Sequence, residues 1–264
     1  MESVYQALSA LEAKGGAGVL CIIIDSQGST PRGTGSKMLV YPDGSFVGTV
    51  GGGELESRVI SEALGALTEG KARKIDYSMT DPQRGDPGVC GGQLEVFVEP
   101  IVPSPLLVVI GGGHVGKAVA HLAKWLGFRV AVSDDRPEFC TAEAIPEADD
   151  FYAVPMADLP EHLEITPWTY TVLTTRGALI DAAGLPNILK SESAYIGVIG
   201  SRRRWATTVG LLKEAGVSDE ELGRVHSPTG LELNAETPEE IAVSILAEII
   251  MLRGGGDGTQ MSGV

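Results

Sequence analysis

Cysteine is scarce in this chain: Cys21, Cys90 and Cys140 are odd in number and none stand at C-x-x-C spacing. That excludes a disulfide framework and a cysteine-based zinc site, and free thiols fit a reducing, cytoplasmic setting. Histidine is equally sparse, with four residues and no pair placed to hold a metal. Long hydrophobic runs are missing. The most apolar stretches, Val19 to Ile24 and Leu106 to Ile110, have the length of a strand and are far too short to cross a bilayer. Positive charge is in deficit, with 20 basic against 35 acidic residues and a net charge of −15. Such a balance argues against nucleic acid or an anionic membrane as partner. The segment Met1 to Lys14 reads as an amphipathic helix with two acids and has no signal-peptide pattern.

What is abundant is glycine, at 35 residues, and apolar runs separate the glycines. They therefore read as tight loops between packed elements. A helix at about 2–14 is followed by a strand at 18–25 and the loop Gly28-Ser-Thr-Pro-Arg-Gly-Thr-Gly35. A hairpin then turns at Asp43-Gly44, and a helix opens near Glu54 with Leu55, Val59, Ile60, Ala63 and Leu67 on one face. Strands follow at 72–78 and 93–99. Pro100 to Pro105, with three prolines in six residues, reads as the linker between an N-terminal α/β domain, 1–100, and a second domain, 106–253.

In the second domain strands at 106–110, 129–133, 150–154, 170–174 and 195–199 alternate with helices at 113–126, 179–190 and 202–215. Near-continuous apolar strands alternating with helices predict a parallel sheet covered on both faces, a Rossmann-like arrangement. Thr237-Pro-Glu-Glu240 is a capping box that opens a last helix, and the tail 254–264 reads as disordered.

Four segments could carry chemistry. Gly111, Gly113 and Gly116 have G-x-G-x-x-G spacing between an apolar strand and an amphipathic helix. Such a turn lets the backbone approach a phosphate, and the helix N-terminus supplies N–H donors. The same glycines could instead serve packing alone. Asp134-Asp135 follows the next strand, where an acid would meet a ribose hydroxyl and favour NAD(H) over NADP(H), with Arg136 as a competing cation. Ser201 can cap a helix at the end of the strand Tyr195–Ile199, and Arg202, Arg203 and Arg204 offer donors to an anion or form a solvated basic face. Gly48-Thr-Val-Gly-Gly-Gly-Glu-Leu-Glu56 is a second glycine turn before a helix, where Glu54 and Glu56 could simply complement the dipole. In Gly88-Val-Cys-Gly-Gly92, Cys90 stands in a glycine-flanked loop and could act as a soft metal ligand or sulfur carrier. Cys21 reads as core, and Cys140 as a packing residue in a helix. His121 reads as structural beside an apolar stripe, while His114 and His226 could reach the ligand crevice.

Together these segments resemble the XdhC/CoxI family of accessory proteins of molybdenum hydroxylases such as xanthine dehydrogenase. The resemblance runs from about Val19 to Arg253. It is carried in order by Gly28-Ser-Thr-Pro-Arg32, Gly35-Ser-Lys-Met38, Gly48 to Glu56, Cys90-Gly-Gly92, Gly111 to Gly116, Asp134-Asp-Arg-Pro137, Thr175-Arg-Gly177, Tyr195 to Arg202 and Thr237 to Ala242. The form at 51–56 is closer to the XdhC branch. The chain departs from the family pattern at Ala178, at Pro228-Thr-Gly-Leu231 and at Leu233-Asn-Ala235.

The resemblance implies a non-enzymatic chaperone that binds molybdenum cofactor, assists its sulfuration and inserts it into an apo-hydroxylase. A cysteine desulfurase and a second copy of the chain are further candidate partners. The ligand-handling residues it implies are Cys90, at the metal end, with Gly111, Gly113, His114, Gly116, Asp135, Ser201 and Arg202. Two other readings stay open: an NAD(P)-dependent oxidoreductase, which lacks an evident general acid here, and a non-catalytic nucleotide-sensing partner of another enzyme.

Overall fold

The computed structural model describes residues 3–78 and 91–262. The chain divides into two compact units, 1–103 and 104–264. The first unit runs α1 (Val4–Ala13), β1 (Gly18–Gln27), β2 (Lys37–Val40), β3 (Phe46–Gly48), α2 (Gly53–Glu69), β4 (Arg73–Ser78) and β5 (Gln93–Ile101). Its strands form one antiparallel sheet in the order β3-β2-β1-β5-β4. Alternation along the strands sends one set of side chains to each face. Val19, Cys21, Ile23, Met38, Val40, Val96 and Val98 pack under Leu55, Val59, Ala63 and Ala66 of α2. Leu39 faces the other way, onto Ala7 and Leu11 of α1.

β5 outruns the expected strand. It continues to Ile101, with Pro100 opposite Val19, so the proline-rich linker is shorter than its composition suggests. Pro100 is tolerated because β4 has already ended at Arg73, opposite Val98, and that stretch of β5 has a strand on one side only.

The second unit contains β6 (Leu106–Ile110), α3 (His114–Trp125), β7 (Arg129–Ser133), β8 (Asp150–Tyr152), α4 (Leu159–His162), β9 (Thr169–Leu173) and α5 (Ala178–Leu189). It continues with β10 (Tyr195–Val198), α6 (Arg202–Glu214), α7 (Asp219–Leu222), β11 (Val225–His226) and α8 (Pro238–Gly254). All six strands are parallel, in the order β11-β10-β9-β6-β7-β8. Counted from β6 as the first strand, that is the 3-2-1-4-5-6 order of a dinucleotide-binding Rossmann fold, with the reversal between β6 and β9. Both faces are covered. Leu107, Val109, Val130, Val132 and Val172 meet α3 and α8, whereas Val108, Ile110, Ala131, Leu173, Ile196 and Val198 meet α5 and the Met156–Leu159 turn.

Candidate functional site

The strand ends around β6, β7 and β9 hold the glycine turn, and its glycines do different things. Gly111 has φ +112°, a backbone state that favours glycine, and a Cβ there would sit 2.7 Å from the Thr174 carbonyl oxygen. A Cβ at Gly112 would lie 2.1 Å from the Phe139 carbonyl oxygen, and at Gly116 2.0 Å from that of Gly111. Gly113 is the exception: nothing lies within 4 Å of its Cβ position, and its φ is an ordinary −71°. It caps α3 with no side-chain hydrogen bond, and the first turn of α3 has no acid. Gly116 thus packs helix on strand, while Gly113 leaves room above N–H groups that no side chain caps.

Two acids and two arginines meet at the end of β7. Asp134 is only 4% exposed. Its Oδ2 accepts the Gly112 N–H at 2.8 Å and an Arg136 guanidinium N–H at 2.9 Å. Its Oδ1 accepts the Arg136 backbone N–H and Nε–H at 3.0 and 2.9 Å. Asp134 is therefore a strut that fixes the glycine turn and Arg136 together. Arg136 also lies over the Phe139 ring at 3.9 Å. Asp135 is paired in bidentate fashion with Arg176, at 2.7 Å on each oxygen. The Arg176 hydrogen bonds hold the Asp135 carboxyl at about 2, well below the usual carboxylate range. These groups line a cleft of about 270 Å³ whose other walls are Val154, Pro155, Met156 and Ala157 on one side and Leu179, Ile180 and Ala183 on the other.

At the end of β10 the arginine triplet splits. The Ser201 hydroxyl caps α6 by accepting the Arg204 N–H at 3.2 Å. Arg204 turns inward, against the expectation of an anion donor. It donates to Asp181, which is fully buried, at 2.7 Å, and to the Thr175 hydroxyl and carbonyl at 2.7 and 3.1 Å. The physical reason is Asp181, whose buried carboxylate needs a cation. Arg202 is exposed and lines a second cavity, of about 570 Å³, with Gly200, Thr229, Gly230 and Leu231. His226 stacks on Tyr195 at 4.7 Å, and its Nδ1 lies 3.4 Å from Glu248. Glu248 also accepts the Tyr195 hydroxyl at 2.5 Å and the Gly230 N–H at 2.8 Å, tying α8 to the loop after β11.

The predicted site residues thus separate into groups. Gly111 and Asp135 line the β7 cleft, and Arg202 lines the second cavity. His114 is exposed and borders a third groove, with Lys117, His121 and Glu147. His121, exposed on α3, is bonded to Glu147 at 2.8 Å, a structural contact. One assignment from sequence changes. Cys140 does not sit in a helix. It follows the 3-10 turn Pro137–Phe139, is buried, and its thiol donates to the Val132 carbonyl at 3.2 Å.

Burial pushes the Cys21 thiol up to about 12 and raises that of Cys140, so neither is poised as a thiolate. Cys90 lies outside the described residues. Gly92, close after it, is described: a Cβ there would meet the Ser29 carbonyl oxygen at 2.4 Å, so the Gly28-Ser-Thr loop packs directly on this backbone. Among the described residues no group of three His, Cys, Asp or Glu could hold a metal, and no helix is long and apolar enough to cross a membrane. Asp181 was not singled out from sequence, Arg176 only within Thr175-Arg-Gly177, and Arg204 only as one of three arginines. The signal available was Thr175-Arg-Gly177 standing at a strand end beside the fold's reversal point.

The family model for the XdhC Rossmann domain matches residues 107–249, and that for the XdhC and CoxI family matches residues 11–78. The chain belongs to the XdhC/CoxI family. It is 36% identical to the uncharacterized protein YqeB of Escherichia coli, over 98% of this chain and 48% of that protein. It is 34% identical to a probable xanthine dehydrogenase subunit of Bacillus subtilis, over 60% of this chain and 46% of that protein. The chain thus spans about half the length of both relatives. Similarity to the molybdenum cofactor insertion chaperone PaoD of Escherichia coli is 26%, over 94% of this chain and 86% of that protein. The fold matches a crystal structure described as a xanthine dehydrogenase from Bacillus halodurans, with a TM-score of 0.52, 24% identity and coverage of 99% and 98% of the two chains.

Proposed function

We propose that this XdhC-family chain is an accessory protein that binds molybdenum cofactor, keeps it while it is sulfurated, and passes it to an apo-hydroxylase of the xanthine dehydrogenase type. The observation that carries the reading is the open position at Gly113, above N–H groups of α3 that no side chain caps. A phosphate-bearing ligand fits there, because backbone donors and the helix dipole favour an anion and no Cβ intrudes. The similarity to the chaperone PaoD supports the cargo.

In this reading Gly111, Gly113 and Gly116 shape the phosphate cradle and Asp135 meets a hydroxyl-bearing part of a ligand. Ser201 presents the N-terminus of α6, and Arg202 supplies an uncommitted cation at the neighbouring strand end. His114, exposed at the start of α3, is assigned to the rim. Cys90 is assigned the metal end, since a thiolate is a soft ligand. The bound group's redox chemistry belongs to the hydroxylase that receives it, so the chain itself is a carrier and not a catalyst. A cysteine desulfurase as sulfur source, self-association and a cytoplasmic setting complete the proposal. The β7 cleft favours one addition: NAD(H) as a ligand of the second unit, through a slot shaped for a flat base beside an acid.

Reconstitution tests the chaperone reading. Purified chain loaded with molybdenum cofactor is mixed with an apo-hydroxylase, and activity is followed. Gly113→Val has room to fold and is expected to lose cofactor retention and activation together. Cys90→Ser is expected to fold and to fail at activation. Full activation by both variants would overturn the assignments.

A further inference from the structure

We propose that the outer face of α3 and α8 is the surface through which two copies of this chain associate about a two-fold axis, with α3 of each copy lying against α8 of the other. The inference rests on the self-association named above, to which it gives a surface, and it is independent of the cofactor.

The two helices run side by side, parallel and level. At their N-terminal ends Lys117 and Ala118 of α3 share a groove of about 640 Å³ with Glu239 and Val243 of α8. At the other end Arg253 of α8 lies over the ring of Phe128, just beyond α3, at 5.0 Å. Each helix buries one stripe in the core of the second unit: Val119, Ala120 and Ala123 on α3, and Ile245, Leu246 and Ile249 on α8. The opposite stripe of a surface helix is ordinarily polar. Here it is not. Trp125 is 78% exposed, Val243 49% and Ile250 41%. Trp125 follows Ala118 by seven residues and Ile250 follows Val243 by seven, two helical turns in each case, so both continue the stripes that line the groove. Apolar side chains scattered singly need no explanation, but a groove extended by a tryptophan, an isoleucine and a valine on adjacent helices is a contiguous patch of the kind that a partner covers.

The charges select a second copy as that partner. On the α3 edge, His121 and Lys124 are tied to Glu147 and Asp149. Among the described residues this leaves Lys117 on α3 and Glu239 on α8 as the opposite charges of the groove that have no ion-pair partner. A face with a free cation on one helix and a free acid at the same end of the other is complementary to itself. A two-fold axis running along the groove, parallel to both helices, lays α8 of one copy on α3 of the other without sliding them along their length. Lys117 is the fourth residue of α3 and Glu239 the second of α8, while Trp125 is the twelfth of α3 and Ile250 the thirteenth of α8. Lys117 therefore meets the partner subunit's Glu239, and Trp125 meets the partner subunit's Ile250, each contact made twice. A partner with charge of a single sign would satisfy one of these groups and repel the other.

Sedimentation equilibrium on the full chain tests this. The wild type is expected at twice the mass of one chain in the micromolar range. Trp125→Ala should weaken the dimer about tenfold or more, because an aromatic anchor at the centre of an interface carries much of its energy. Its thermal midpoint, taken at a concentration where both proteins are monomeric, should match the wild type, since that side chain is exposed in the single copy. Lys117→Glu and Glu239→Lys should each weaken the dimer roughly tenfold through like-charge contacts, and the double variant Lys117→Glu/Glu239→Lys should recover it, because each pair re-forms with its signs exchanged. A wild-type monomer would overturn the proposal together with self-association. A dimer that survives Trp125→Ala and both charge reversals would leave self-association standing and overturn this surface. Failure of the double variant to recover would overturn the two-fold pairing of α3 with α8. None of these measurements involves the cofactor, so the chaperone reading stands or falls separately.

Discussion

The triplets Gly51-Gly52-Gly53, opening α2, and Gly111-Gly112-Gly113, preceding α3, share a sequence and diverge at the next residue, Glu54 against His114. In the first unit all three glycines have positive φ, and the first helical turn carries Glu54 and Glu56. Glu56 folds back: one carboxylate oxygen accepts the Thr49 hydroxyl and, at 3.2 Å, the Val50 N–H. Glu56 thus ties the residues before the turn to α2, and with Glu54 it puts two negative charges in the first helical turn, which repel an external anion. Gly52, Gly53 and Gly113 all face open space, but in the second unit the first turn of α3 has no acid. The difference teaches that a glycine turn opening a helix is only half of an anion site. The other half is what the chain leaves out of the first helical turn.

The largest effect is expected from closing the second turn from below. Gly116→Val places a side chain where even a Cβ would lie 2.0 Å from the Gly111 carbonyl oxygen. Overpacking with backbone displacement should cost about 3 kcal/mol or more in chemical denaturation. A wild-type midpoint would show that the close approach of α3 to the turn is dispensable. A smaller effect is expected from opening the first turn. Glu56→Ala removes the acceptor for Thr49 and Val50 and should cost about 1 kcal/mol, read as a lower denaturation midpoint. If stability is unchanged, the carboxylate is not what closes that turn.

The smallest effect sharpens the comparison by making the second turn resemble the first. His114→Glu introduces an acid at the first position of α3, at an exposed site. Helix stability should rise by about 0.5 kcal/mol through the dipole, while a phosphate-bearing ligand binds more weakly. Gain in both quantities would separate the helix terminus from ligand binding.

Much of this was legible in the residues. Apolar runs such as Leu106–Ile110, alternating with helical periods, gave the parallel sheet of the second unit, because buried strands need no polar face. The capping box at Thr237 marked α8 to the residue, since its pairing with Glu240 is local. β11 was not legible. It is two residues long, Val225–His226, and exists only because Ile196 and Gly197 lie beside it. The site was half legible. Glycine spacing located the turn, but which of Gly111, Gly113 and Gly116 is open depends on Thr174, far along the chain, and on Phe139 against Gly112. Arg202, Arg203 and Arg204 look alike in the sequence. Only the buried Asp181 on α5 decides that Arg204 turns inward.

Hydrogen–deuterium exchange on the full chain, with and without saturating NAD+, tests the contrast between the turns most directly. Peptides covering Gly111 to Val119 should gain protection on ligand addition, because the N–H groups at the start of α3 acquire an acceptor. Peptides covering Gly51 to Val59 should exchange at the same rate in both states, because Glu54 and Glu56 place negative charge in the first turn of α2. Protection confined to the first turn, or none at the second, would contradict the account.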